Sequence, residues 1–178
     1  MWAGIIDKSL IGPFFLDGKL TGTKYVDFLS TRLHEISEEV PVDIRLCMRF
    51  MHNGAAPHFS RVARQFLNQH LANKWIGRGG AIAWPARSPD LNPLDFHLWR
   101  HLKSIVYATS IEHAEILRDR IEQGFRQIRE TPGTIERATR SLTRRVQACL
   151  RMQGGHFFAS FVKVIKTESS LYLIDEDR

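Results

Sequence analysis

With 178 residues, 43% of them hydrophobic and 25% charged, the chain has the size and balance of one globular domain, alone or with a helical extension. Its formal net charge of +6 favours a polyanionic partner, nucleic acid first. No run approaches the length of a membrane-spanning helix and no signal-peptide pattern opens the chain, so no membrane partner is expected.

Trp2 to Ile6 and Leu10 to Leu16 are short apolar runs separated by Asp7-Lys8-Ser9, the pattern of a strand hairpin. Asp7 and Asp17 both fall in turns, where Asp is common for its own backbone bonding. From Thr23 to Glu39, Tyr25, Phe28, Leu29, Leu33 and Ile36 recur at helical spacing, and Pro41 follows. Ile44 to Met51 reads as a strand. It runs into His52-Asn53-Gly54-Ala55-Ala56-Pro57-His58, a loop by its small residues and proline. Ser60 to Leu71 is a second helix, residues 75 to 80 a glycine-rich connector, and Ala81 to Trp84 a short strand.

Trp84 to Trp99 packs three prolines, two acids, an arginine and two tryptophans into one strand-to-helix passage. Pro85 and Pro89 hold the entry extended. Asn92 has the character of an N-cap, with Pro93 at the first helical position and Asp95 at the third, where an acid complements the helix dipole. The helix is expected to run to Tyr107, with Trp99 and Phe96 as packing residues. Ile111 to Arg129 and Ile135 to Met152, separated by Thr131-Pro132-Gly133, form a helical hairpin. Arg137, Arg140, Arg144, Arg145 and Arg151 make its second helix basic. Such a face is ordinarily solvated, yet it suits phosphate contact if the chain binds DNA. Cys47 and Cys149 stand among apolar residues, without metal-ligand spacing, as buried thiols. The segment from Phe157 onward alternates apolar and polar residues around Leu171-Tyr172-Leu173, a strand pattern or a mobile one.

Two stretches resemble something specific. Met51-His52-Asn53-Gly54-Ala55-Ala56-Pro57-His58-Phe59 is similar to the second catalytic motif of mariner-type DNA transposases, Asp-Gly-Ala-Pro-Pro-His or Asp-Asn-Ala-x-x-His. Trp84 to Asp95, with Ser88-Pro89-Asp90-Leu91-Asn92-Pro93-Leu94-Asp95, resembles the third, Ser-Pro-Asp-Leu-x-Pro-x-Asp. Trp75-Ile76-Gly77-Arg78, and Trp2-Ala3-Gly4-Ile5-Ile6 with Ile11-Gly12-Pro13-Phe14, fit one insect-associated branch of the group. The resemblance covers about residues 1 to 155; the last twenty-odd match nothing recognised.

The resemblance implies an α/β fold: an RNase H-like mixed sheet flanked by helices, here lacking the family's first strand, with a C-terminal helical hairpin. Residues 1–108 would be the partial catalytic domain, 109–155 the hairpin and 156–178 an unmatched tail. In the family three carboxylates hold two Mg²⁺ ions for DNA strand cleavage and transfer, chemistry that suits hard oxygen ligands on either side of a phosphodiester. Asp95 matches the third carboxylate. Asn53 stands where the second belongs, 95 − 53 = 42 positions earlier. The first belongs to a strand preceding Trp2. Two of three carboxylates are thus unaccounted for, and loss of catalysis is expected, with Mg²⁺ binding doubtful. An amide at 53 still offers a carbonyl oxygen to a cation. His58 is either a phosphate or metal-water contact or a cap for the helix near Ser60. Arg87 is a candidate phosphate contact, and Arg137, Arg140 and Arg144 are candidate DNA contacts.

In the RNase H-like sheet the first strand lies between the second and the fourth. Its absence leaves three courses: the hairpin pairs directly with the next strand, another chain donates a strand, or stability suffers. The reading is therefore a transposase-derived, DNA-binding, nuclear protein, catalytically impaired, with a homodimer or strand-donating partner. A host-retained DNA-binding or protein-interaction module, or a decayed element copy, stands as the alternative.

Overall fold

The computed structural model of the chain describes residues 1–38, 40–84, 88–153 and, as backbone, 171–175. Strands β1 (Trp2–Ile6) and β2 (Ser9–Phe14) form the expected hairpin, antiparallel through a turn in which Asp7 adopts φ 51°. Helix α1 (Gly22–Glu38) follows, then a short helix α2 (Val42–Cys47) and the two-residue strand β3 (Phe50–Met51). Of the strand expected over Ile44 to Met51, the first half is helical and only Phe50 and Met51 are strand. Pro41 and Asp43 make a helix start with an acid in the first turn; Val42 and Leu46 stay exposed, while Ile44 and Met48 meet the core.

Helix α3 (Ala56–Phe59) opens with Pro57 in its first turn, and α4 (Arg61–His70) begins at Ser60, whose Oγ accepts from Ala63 N–H at 3.2 Å. The glycine-rich connector contains a further strand, β4 (Trp75–Gly77), and β5 (Ile82–Ala83) lies beside it. A 3₁₀ turn at Pro89–Leu91 leads to a π-helical segment, Leu94–Trp99, which continues as α5 (Arg100–Val106). Helices α6 (Ala114–Glu130) and α7 (Thr134–Arg151) form the hairpin, joined at Gly133 with φ 71°. Of the two cysteines, Cys47 is exposed and Cys149 half-buried, contrary to the burial expected.

The last described segment, β6 (Leu171–Asp175), changes the account of the sheet. Strand order is β2-β1-β6-β3-β4-β5. β6 runs antiparallel to β1, pairing Trp2 with Asp175 and Ile6 with Leu171, and parallel to β3, pairing Phe50 with Leu171 and Met51 with Tyr172. It occupies the central place, with the direction, that the resemblance assigned to the family's first strand. The hairpin does not pair directly with β3, and the inserted strand comes from the same chain rather than another.

Helices cover both faces. On one, Trp2, Ile6 and Phe50 pack against Tyr25, Leu29 and Leu33 of α1 and Leu67 of α4. On the other, Ala3, Ile5 and Met51 pack against Leu94, Leu98, Leu102 of α5, and Phe125 and Ile128 of α6. Alternate residues of β1 divide between the two cores, as strand pleating requires. Gly124 admits Leu102 to the α5–α6 seam: a Cβ there would meet Leu102 Cδ1 at 2.6 Å.

Candidate functional site

Asn53 leaves the end of β3, and its side chain folds back on its own loop. Oδ1 accepts from Ala55 N–H at 3.1 Å and lies 2.8 Å from His58 Nδ1. A backbone N–H can only donate, so the atom facing it is the amide oxygen, and His58 Nδ1 must carry its proton. The imidazole is then neutral with a bare Nε2, which is buried without a hydrogen-bond partner. Burial pushes His58 down to about 4, against a smaller upward pull from its hydrogen bond to Asn53.

His58 is held by an aromatic nest. Its ring stacks on His52 with centroids 4.9 Å apart and planes 10° from parallel, and Tyr25 lies 4.4 Å away on α1. His52 Nδ1 meets Tyr25 OH at 3.0 Å, and its edge abuts Trp75 of β4. Burial and then the neighbouring His58 hold His52 well below the usual histidine value. Gly77 makes room for this: a Cβ would stand 2.4 Å from His52 Nε2. His58 therefore neither caps α4, which Ser60 does, nor reaches solvent; it fixes the Asn53 loop.

The second half of the site is the start of the π-helical segment. Asn92 is fully buried; its Oδ1 accepts from Leu94 N–H at 3.2 Å and its Nδ2 donates to Asp95 Oδ2 at 2.6 Å. Both bonds are made by the Asn92 side chain, which caps the Leu94 N–H and holds the Asp95 carboxylate, while its own backbone N–H bonds Pro89 O. Asp95 is half-buried and in the first turn, where the dipole also favours it. The wide π turn sits at the one position that the motif reading singled out, a recurrent feature of functional helices. Met51, two residues before Asn53, packs in the same core as Leu94 and Leu98, which flank Asp95.

Does this donor set fit two divalent cations? Asn53 Oδ1, the oxygen that the sequence reading left for a cation, is consumed by Ala55 and His58. An aspartate in this pose would keep one oxygen in the turn and present the other outward. The amide presents Nδ2–H₂ instead, two donors that repel a cation. On β6 the pairing with β3 ends at Met51 and Tyr172, and further along Ile174 and Asp175 pair with Ala3 and Trp2 of β1. Among the described residues no group of three or more His, Cys, Asp or Glu is placed to hold a metal. Among the described residues, the side chains at the motif positions do not make a donor set for two divalent cations.

The basic residues divide. Arg87 lies outside the described residues. Arg137 is spent on its own helix start, donating to Pro132 O and to Thr134 Oγ1, both at 3.1 Å. Arg145 caps the motif loop from α7: Nη1 lies 3.3 Å from Asp90 Oδ1, and the guanidinium covers Phe96 at 4.0 Å. Arg140 and Arg144 are exposed on α7. Sequence reasoning passed over Arg78, which stacks on Phe59 at 4.1 Å and lies against Gly54, bringing a cation to the Asn53 loop. Its place after the short β4 was the available signal.

A hairpin continued by a central strand and parallel neighbours, with helices on both faces, is an RNase H-like fold. The crystal structure of the catalytic domain of Mos1 mariner transposase shares this fold at TM-score 0.65 and 20% identity, over 84% of this chain and 69% of that one. Structures of the Mos1 catalytic domain and raltegravir, with Mn and with Mg, match at TM-score 0.63 with 20% and 21% identity, each over 84% of this chain and 70% of that one.

In sequence, the chain is 28% identical over 156 residues to the transposable element Tc3 transposase of Caenorhabditis elegans, covering 86% of this chain and 44% of that protein. It spans less than half the length of that relative. No protein-family model matches the chain. The relative and the shared fold support the resemblance to mariner/Tc1-type transposases drawn from the motifs.

Proposed function

We propose that this chain is a transposase-derived DNA-binding protein, with the family's fold but without its own capacity for metal-dependent strand cleavage and transfer. The observation that carries the second half is the bonding of Asn53: its one acceptor oxygen is engaged by Ala55 N–H and His58 within its own loop. The Mos1 catalytic domain has been solved with Mn and with Mg; here Asp95 is bonded to Asn92 and Asn53 Oδ1 to its own loop. No catalytic step is derived for this donor set.

DNA affinity rests on the net charge of +6 and on exposed Arg140 and Arg144, which offer phosphate contacts without base readout. A nuclear location and a homodimer belong to the same proposal, as settings in which a DNA-acting protein of this kind would work. The test is a nicking assay on supercoiled plasmid with Mg²⁺ or Mn²⁺. Wild type and Asp95→Ala are expected to be equally inactive, and nicking that Asp95→Ala abolishes would overturn the impaired reading. Duplex binding should weaken with salt, and Arg140→Ala/Arg144→Ala should flatten the dependence of log K on log salt by about 1.8, at roughly 0.9 per phosphate contact. Binding indifferent to salt contradicts the DNA-binding half.

A further inference from the structure

At the β2 edge, away from the Asn53 loop, the chain exit from β2, helix α1 and helix α6 enclose a cleft of about 500 Å³. Strand order puts β2 three places from β3, about 14 Å across the sheet at ~4.8 Å per strand. That volume lies within the range of small-ligand pockets. Its lining carries four arginines against one glutamate, and three phenylalanines.

The arrangement is ordered. Arg118, Glu122, Arg126 and Arg129 follow at spacings of four, four and three, so one stripe of α6 faces the cleft. Arg118 and Arg126 stand about 12 Å apart along the helix axis, at 1.5 Å per residue. Arg129 is committed to the wall, bonding the carbonyls of Leu10 and Gly12 and so fixing α6 to β2. Arg118 lies over the half-buried Phe15 ring at 4.3 Å, and Arg32 of α1 over Phe14 at 5.4 Å. Glu122 and Glu35 pair with Arg118 and Arg32 and leave the balance positive. Among the described residues, exposed Arg126 has neither an ion-pair nor a hydrogen-bond partner.

We propose that this cleft binds single-stranded nucleic acid, its arginines taking backbone phosphates and the Phe15 face taking an unstacked base. Alternating guanidinium and aromatic surface is the chemistry of sequence-tolerant single-strand sites. A duplex keeps its bases stacked inside and offers this concave surface phosphates alone. The inference extends DNA binding from α7 to a second surface, and rests on the proposed function for the identity of the polymer.

The test is fluorescence anisotropy with labelled dT12 and with a duplex of equal length, on the full chain, folding being checked by circular dichroism melts. Wild type should bind dT12. Arg118→Ala/Arg126→Ala should weaken it tenfold or more and flatten the salt dependence by about 1.4, at roughly 0.7 per single-strand phosphate. Phe15→Ala should weaken dT12 about tenfold with the salt slope unchanged, and leave duplex binding alone. The proposal is overturned if the double arginine variant binds dT12 like wild type, or if a glutamate-rich peptide displaces dT12 and binds with the same arginine dependence. Duplex bound without dT12 removes the cleft proposal alone. No binding to either polymer removes the DNA-binding reading with it.

Discussion

Replacing Asn53 by Asp is the sharpest single perturbation of the candidate site, because the partner that reports on it is already known. In the wild type His58 Nδ1–H donates to a neutral amide oxygen at 2.8 Å, and burial keeps the ring neutral to about pH 4. A carboxylate in the same pose accepts the same two hydrogen bonds but adds a negative charge. Charge-assisted bonds contribute about 1.5–3 kcal/mol where neutral ones contribute about 0.5–1.5. The protonated imidazolium should therefore gain roughly 1–1.5 kcal/mol, moving its midpoint up by about one pH unit, to near 5. The assay is a pH series of imidazole ¹H–¹⁵N correlation spectra on both proteins. Wild type should show the Nδ1–H tautomer throughout the neutral range. An Asn53→Asp midpoint equal to that of wild type, or a wild-type His58 titrating near the ordinary 6.5, would refute the bonding described. The variant alone should not create a tight Mn²⁺ site, since one carboxylate oxygen stays bonded to Ala55 and His58 and Asp95 stays bonded to Asn92; selective broadening of His58 resonances by micromolar Mn²⁺ would contradict this.

Stability should fall with acid for the same reason. Between the ordinary histidine value of about 6.5 and the folded value of about 4, the unfolded chain binds a proton at residue 58 that the native chain refuses. Stability from His58 is complete above pH 6.5 and is lost as pH falls toward 4, by about 2 kcal/mol at pH 5; His52 acts in the same direction. Equal urea midpoints at pH 7 and pH 5 would rule this out. Asn92→Ala should cost about 1–2 kcal/mol through loss of the Leu94 cap, measured by thermal melts. Asn92→Asp, which sets a second carboxylate against Asp95 Oδ2, should be more harmful at pH 7 than at pH 4, and a pH-independent loss would contradict the Asn92–Asp95 bond. Deleting residues 156–178 removes β6 and bares the inner edges of β1 and β3; sedimentation should then show concentration-dependent association, and a well-behaved monomer with unchanged cooperativity would count against the strand's role.

Much of the fold was legible because its longer elements carry their own periodicity. α1, α4, α6 and α7 each present an apolar stripe, and the β1–β2 hairpin is two apolar runs around a short turn. The short parallel strands were not. β3 is two residues and β4 three, too few for alternation to register, and Trp75 declares its central place only through burial. The motif residues were legible as motifs, yet their use was not. Nothing in the order Asn53-Gly54-Ala55-Ala56-Pro57-His58 says that the amide oxygen turns inward, because that depends on a histidine buried against Tyr25 from a different element. Similarly, Arg145 reads as one of a basic row, while its contact with Asp90 and Phe96 exists only after α7 packs over the motif loop.

The placing of β6 bears on how the molecule is made. Its pairing of Trp2 with Asp175 joins residues 175 − 2 = 173 positions apart, and the same strand is the sole bridge, in the described sheet, between the β1–β2 hairpin and β3–β5. During synthesis both half-sheets emerge long before the segment that unites them. They must wait, open-edged, until residues 171–175 have been made and have left the ribosome. Contacts of such sequence separation close slowly, and the interval is when unpaired edges find the wrong neighbour. For this protein the yield of native molecules should be set by events after β6 emerges, and by how well the two halves are kept apart until then.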